Sequence, residues 1–198
     1  MVGNLSGRPL VLGVSGSPRV SSNTHLLLER VVAGAALAGA ETKVVRLRDL
    51  KYSSCRHCGG CDGTGECVVQ DDMQEVYRKL REARHLVLAS PIHFSAVSGE
   101  MKAMIDRAQC CWIGKYRLKQ PVSQVSGERR GVFAASCGGK DTRVFEWAKH
   151  TVKAFLNSTG FRYWGEFFEA NADGSPPVPE REERLTEAEE LGRRLVAG

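Results

Sequence analysis

The strongest constraint on the fold is the alternation of short apolar runs with longer amphipathic segments. PLVLGVS (9–15), HLVLAS (85–90) and GVFAAS (131–136) are continuously apolar and strand-sized, and small residues or a proline follow each of them. Continuous apolar runs are typical of strands buried on both faces of a sheet. TKVVRLRDL (42–50) and FRYWGEFF (161–168) predict two further strands.

Segments with helical periodicity separate these strands, and residues 110–128 are irregular. The predicted helices cover residues 23–40, 71–83, 99–108, 141–160 and 180–197. Asp71 and Gln74 predict a capping box at the second helix, and Gly160 predicts the C-cap of the fourth.

Strands that alternate with helices predict an α/β fold with a parallel sheet covered on both faces. Right-handed crossovers make it doubly wound, and five strands favour the flavodoxin-like order 2-1-3-4-5. We therefore expect a single flavodoxin-like domain over residues 1–198, with a cysteine-rich loop at 51–70 after the second strand.

Composition excludes several classes of function. The net charge of +5 is scattered and lacks interleaved aromatic residues, which argues against nucleic-acid binding. No apolar run approaches the roughly 20 residues that a membrane span needs, and the N-terminus shows no secretory signal. We therefore expect no membrane association, and we expect a cytoplasmic protein with reduced thiols. Seven cysteines, an odd number, also fit poorly with a disulfide framework.

Four of the seven cysteines lie in one stretch, CRHCGGCDGTGEC, with the spacing C-x2-C-x2-C-x5-C. The first three can present thiolates to one face of an iron–sulfur cubane, as in bacterial ferredoxin runs. The fourth follows after five residues rather than three and no proline comes next, so the loop can close around its own cluster. Four glycines allow tight wrapping and let amide N–H groups point at sulfur. The candidate metal ligands are Cys55, Cys58, Cys61 and Cys67.

Three other interpretations of this loop stay open. Zinc prefers two separated C-x2-C pairs, although four thiolates also suit it. A redox-active dithiol needs only two of the cysteines. The loop can also be a relic that holds no metal. Cys110, Cys111 and Cys137 are interpreted as small buried hydrophobic residues.

Ligands of doubly wound folds bind outside the carboxyl ends of the strands, so three turns are candidate binding segments. GSPRVSSNT brings hydroxyls, an amide and a guanidinium to a helix N-terminus, which is a phosphate cradle as well as an ordinary N-cap. SPIHFSAVSG offers apolar walls and backbone N–H groups, which suit a flat heteroaromatic ring. SCGGKDT is small enough to let the backbone approach a ligand closely.

These turns, the cysteine run CRHCGGCDGTGECVVQDDM and the segment SPIHFSAVSGEMKAMIDR, in this order, resemble the NADPH-dependent FMN reductase and iron–sulfur flavoprotein family over residues 9–169. The resemblance implies that the first turn holds the FMN phosphate, the second lies along the isoalloxazine ring and the third covers its pyrimidine side. His93 stands where the family usually has tyrosine. The implied FMN-binding residues are Ser17, Arg19, Ser22, Asn23, Thr24, Pro91, Ile92, His93, Phe94, Ser95, Ser136, Gly138 and Gly139.

The resemblance further implies an oxidoreductase that passes electrons between FMN and a [4Fe-4S] cluster, with no side chain assigned as a catalytic residue. A flavin-only NAD(P)H-dependent FMN or quinone reductase is the alternative. A zinc-loop module that binds nucleic acid is a third and more distant one. The expected partners are NAD(P)H or ferredoxin as electron donor and further copies of the chain in a homodimer or tetramer.

Overall fold

A parallel sheet forms the centre of the computed structural model, which describes residues 7–197. The sheet order is β2-β1-β3-β5-β6, and β4 forms an antiparallel hairpin with the end of β3. Apart from the hairpin this is the predicted order 2-1-3-4-5, so the flavodoxin-like fold class is confirmed. The strands are β1 (Leu10–Ser15), β2 (Glu41–Arg46), β3 (His85–His93), β4 (Ala96–Val97), β5 (Arg130–Ser136) and β6 (Arg162–Glu169).

Helices cover both faces of the sheet, as continuous apolar strands require. One face packs on α1 and α6 through residues such as Leu28, Val31 and Leu191. The other packs on α2, α3 and α5 through Val76, Met104 and others. The helices are α1 (Asn23–Leu37), α2 (Met73–Glu82), α3 (Gly99–Arg107), α4 (Gln109–Trp112), α5 (Arg143–Ser158) and α6 (Glu182–Ala197).

Two strand ends differ from their predicted positions. β2 ends at Arg46, and Leu47–Asp49 forms a 3-10 turn rather than continuing the strand. β3 runs through Pro91 to His93, because proline fits extended backbone and the last residues pair with the hairpin strand β4.

Two helical features were also predicted incorrectly. The segment after α3 is partly helical, with α4 followed by a π-helical turn over Ile113–Arg117. The capping box does not form: α2 begins at Met73, Asp71 pairs with Arg107, and Gln74 donates to the carbonyls of Cys67 and Val69. The Gln74 side chain therefore anchors the cysteine loop, and the Asp71 carboxylate is shared between Arg107 and the Met73 N–H at the start of α2.

None of the helices in residues 7–197 combines the length and apolarity that crossing a membrane requires.

Candidate functional site

The carboxyl ends of β1, β3 and β5 meet around one cleft with a volume of about 260 Å³. The parallel register aligns Ser15 with Ala89 and Pro91 with Ser136, so the three turns leave the sheet side by side. Of the residues implied by the family resemblance, those that line this cleft are Ser17, Arg19, Ser22, Asn23, Thr24, Pro91, Ile92, His93, Ser136 and Gly138.

The first turn forms an anion-binding arrangement at the N-terminus of α1. Ser22 caps the helix by accepting from the His25 N–H, and no acidic residue lies in the first helical turn. The first N–H groups of a helix lack intrahelical acceptors, so they and the helix dipole favour an anion here. The buried Ser17 hydroxyl accepts from the Arg19 N–H and keeps its own proton for donation. This donor set fits a phosphate group.

Two residues of the first turn use their side chains for hydrogen bonds within the protein. The buried Thr24 hydroxyl and the Ser136 hydroxyl lie 2.6 Å apart, which joins the first turn to the third. The Asn23 amide donates to the Ala172 carbonyl at 2.9 Å, which joins it to the loop after β6. Both side chains therefore hold the walls of the cleft together, and their backbone N–H groups lie in the first turn of α1, where intrahelical acceptors are missing.

The second turn divides into two parts. Pro91, Ile92 and His93 line the cleft, whereas the Phe94 side chain is fully exposed at the tip of the hairpin. Phe94 and Ser95 both adopt a positive φ, which turns the chain away from the sheet edge. Neither residue is among the lining residues described for the cleft, and Gly139 of the third turn is also outside that set.

The loop after β6 forms a fourth wall that the sequence analysis did not assign. Ala172 and Asp173 line the cleft, and a Cβ added to Gly138 would lie 2.3 Å from the Asp173 carboxylate. The buried Glu169 carboxylate accepts from Arg181, whose guanidinium also donates to the Asn171 carbonyl and so anchors this loop. The sequence could have predicted this wall, because ligands bind outside the carboxyl ends of the strands and this rule applies to the fifth predicted strand as well.

Cys137, which belongs to the third predicted turn, also lines the cleft. Its thiol is buried and donates to the Gly139 carbonyl at 3.2 Å, and burial raises its pKa. The predicted burial is confirmed for Cys137 and Cys110 and is wrong for Cys111, which is partly exposed.

The cysteine loop encloses a second cavity, with a volume of about 300 Å³, between the end of β2 and the start of α2. All four predicted ligands, Cys55, Cys58, Cys61 and Cys67, line it, and Cys58 is the exposed one. Within residues 7–197 no three cysteine, histidine or acidic side chains converge closely enough to coordinate one ion. The four thiols thus share one cavity without being drawn together.

The wall opposite the loop comes from α3 and α4 and includes Arg107 and Cys110. The Arg107 side chain is 2% exposed, and its Nε finds no hydrogen-bond acceptor among the described residues. Four thiolates around iron carry net negative charge, so a buried cation with an unused N–H fits such a group. Sequence reasoning missed Arg107, although a charged residue three positions after Met104 on an apolar helix face was a visible signal.

Comparison with known proteins identifies this combination of a strand-end cleft and a cysteine loop. The family model described as NADPH-dependent FMN reductase matches residues 9–160. This chain belongs to the NADPH-dependent FMN reductase and iron–sulfur flavoprotein family. It is therefore a redox flavoprotein that uses FMN, and an oxidoreductase.

Two curated relatives with similar sequences are iron–sulfur flavoproteins. An iron–sulfur flavoprotein of Methanocaldococcus jannaschii is 35% identical over 134 residues, which cover 68% of this chain and 67% of the relative. This flavoprotein therefore matches only about two thirds of that relative's length. A second iron–sulfur flavoprotein of the same organism is 33% identical over 188 residues and covers 94% of this chain and 90% of its own.

Solved structures agree on the fold. The NAD(P)H:quinone oxidoreductase from Methanothermobacter marburgensis superposes with a TM-score of 0.68 at 18% identity, covering 95% of this flavoprotein and 97% of that chain. At this identity the likeness concerns the fold alone.

Proposed function

We propose that this flavoprotein passes electrons between FMN in the strand-end cleft and a [4Fe-4S] cluster held by Cys55, Cys58, Cys61 and Cys67. FMN exchanges one or two electrons and a [4Fe-4S] cluster exchanges one, so the pair would link two-electron donors to one-electron acceptors. The observation that carries the proposal is the cavity of the cysteine loop, which is lined by all four thiols and by a buried cation.

The cleft supports the FMN half of the proposal through its distribution of donors. Ser17, Arg19 and the N-terminus of α1 would hold the phosphate, because hydroxyl, guanidinium and backbone N–H groups converge there. Pro91, Ile92 and His93 would border the isoalloxazine ring, and the small third turn would let backbone N–H groups reach its pyrimidine edge. Phe94, Ser95 and Gly139 border the mouth of the proposed site without lining the cleft itself.

Anaerobic purification tests the proposal directly. We expect a flavin spectrum with an added broad iron–sulfur absorption, FMN in the supernatant after denaturation, and equal amounts of iron and acid-labile sulfide. Cys61→Ala should lose iron and sulfide and keep FMN. Cys111→Ala is the matched control, because Cys111 lies outside the lining of the cysteine cavity. Zinc in place of iron, or no metal in freshly purified protein, would contradict the cluster assignment.

A flavin-only reductase is the second candidate. It is favoured by the four thiols of the cysteine loop, which do not converge on a position for one ion. In that case NAD(P)H would reduce the bound FMN, and free flavin or a quinone would accept the electrons. The two functions differ in one measurable respect, since Cys61→Ala would then leave the rate of quinone reduction unchanged.

For the proposed electron-transfer function we expect NAD(P)H or ferredoxin as donor and a homodimer or tetramer in solution. Stopped-flow reduction with each donor, together with light scattering, tests both expectations.

A further inference from the structure

We infer that Arg107 sets the reduction potential of the group held by the cysteine loop, through a charged hydrogen bond to the Cys67 sulfur whose strength Asp71 moderates. This inference rests on the proposed function. It concerns a positioning residue on α3, far from the cysteine motif in sequence, to which neither the motif nor the resemblance assigned a role.

The guanidinium of Arg107 is clamped in one orientation. Its Nη1 donates to the Ser53 carbonyl at 3.1 Å and to the Asp71 carboxylate at 2.6 Å, and its Nη2 reaches the other Asp71 oxygen at 3.0 Å. A bidentate arginine–carboxylate pair of this kind fixes the plane of the guanidinium. Ser53 and Asp71 flank the cysteine motif, so Arg107 closes the base of the loop.

The same guanidinium touches a proposed ligand sulfur. Nη2 donates to Cys67 Sγ at 3.4 Å, and Arg107 lines the cavity that the four cysteines share. Its side chain is 2% exposed, so little solvent screens the charge. Nε is buried and has no acceptor among the described residues, which leaves a further donor beside the cavity.

Hydrogen bonds and positive charge near cluster sulfurs favour the more negative, reduced state. Arg107 should therefore raise the reduction potential. Asp71 partly neutralises the guanidinium and should lower it. The two residues form one salt bridge yet act on the potential with opposite signs, which a purely structural role does not predict.

The experiment compares Arg107→Gln, Arg107→Lys and Asp71→Asn with the wild-type holoprotein in anaerobic dithionite titrations followed by optical and EPR spectra. Each titration adds one electron per cluster and makes or breaks no bond. We expect Arg107→Gln to shift the ratio of reduced to oxidised cluster about tenfold towards the oxidised form at a fixed potential. Arg107→Lys keeps the charge and should shift it less. Asp71→Asn should shift it the opposite way.

Arg117→Gln is the matched control, because Arg117 lines the same cavity with a side chain that is 54% exposed to screening solvent. It should titrate like the wild type. Equal potentials for the wild type and Arg107→Gln, or shifts of the same sign in Arg107→Gln and Asp71→Asn, would overturn the inference. If Arg107→Gln loses its iron, the shifts in reduction potential of Asp71→Asn and Arg107→Lys test the inference in its place. Wild-type protein without iron and sulfide would instead refute the proposed function.

Discussion

At the scale of single residues, Arg129 is a buried cation that contacts carbonyl groups in place of a carboxylate. Its guanidinium donates to the carbonyls of Leu80 and Ala83 at the end of α2 and of Thr159 at the end of α5. Its centre lies 3.8 Å above the Phe161 ring. The last carbonyls of a helix lack intrahelical donors, so one side chain satisfies two helix ends at once.

Replacing Arg129 with methionine should lower the free energy of unfolding by about 3 kcal/mol, because buried carbonyls then lose their donor. Urea denaturation followed by circular dichroism measures the change. Arg78→Met on the exposed face of α2 is the control and should unfold at the wild-type urea concentration. An equal loss in both variants would show that the contacts of Arg129 with the helix-end carbonyls are not responsible.

His85, at the start of β3, makes stability depend on pH. Burial, with the nearby Arg84 and Arg130, lowers its pKa to about 4, and its Nδ1 accepts from the Arg130 N–H. In the unfolded chain the pKa of histidine is about 6.5. Between these values the unfolded chain binds more protons, so stability is lost as the pH falls from about 6.5 to 4.

The variant His85→Asn should remove this contribution and keep the acceptor for Arg130. We expect the wild type to lose about 2 kcal/mol more than the variant between pH 7 and pH 4, after allowance for solvent screening. Urea titrations at the two pH values give the difference. His150→Asn, on the exposed side of α5, should behave as the wild type does. Parallel pH profiles for the wild type and His85→Asn would contradict the assignment.

At the scale of elements, α1 and α6 cross through two glycines. A Cβ added to Gly34 would lie 1.8 Å from the Glu189 carbonyl, and one added to Gly192 would lie 1.8 Å from the Val31 carbonyl. The neighbouring atoms belong to the backbone, so a larger residue forces the helices apart rather than a side chain aside.

Gly34→Ala should therefore lower the free energy of unfolding by about 2 kcal/mol, although alanine favours helix by up to about 1 kcal/mol. Gly99→Ala is the matched control at the start of α3, where a Cβ meets nothing within 4 Å. It should be neutral or stabilising. Thermal unfolding of both variants separates the steric effect at the helix crossing from the helix propensity of alanine. A stabilised Gly34→Ala would refute the close crossing.

The sequence was most informative about elements whose signal is local. Apolar runs located the buried strands, and their alternation with helices predicted the sheet order correctly. It failed where distant residues decide: Pro91 continues β3 because β4 folds back on it, and Gln74 binds carbonyls of the cysteine loop rather than completing the capping box. The same limit applies to the predicted cleft residues. The exposure of Phe94 depends on a positive φ, which a phenylalanine at that position does not predict.

At the scale of the whole molecule, the cleft draws its walls from β1, β3, β5 and the loop after β6. A ligand there contacts segments more than 140 residues apart, as the bond from Asn23 to Ala172 illustrates. Such a ligand should stabilise the global fold, because it binds the native chain and not the unfolded one. The cysteine loop joins β2 to α2, so loss of the proposed cluster should act locally by comparison.

FMN at 100 times its dissociation constant should raise the free energy of unfolding of the apoprotein by about 2.7 kcal/mol. Arg19→Ala should raise the dissociation constant for FMN about 10- to 100-fold through loss of a charged phosphate contact, and leave that for riboflavin unchanged. Flavin fluorescence titrations and thermal shifts measure both. Arg30→Ala, an exposed arginine further along α1, is the control. Equal weakening of FMN and riboflavin by Arg19→Ala would remove Arg19 from the phosphate site.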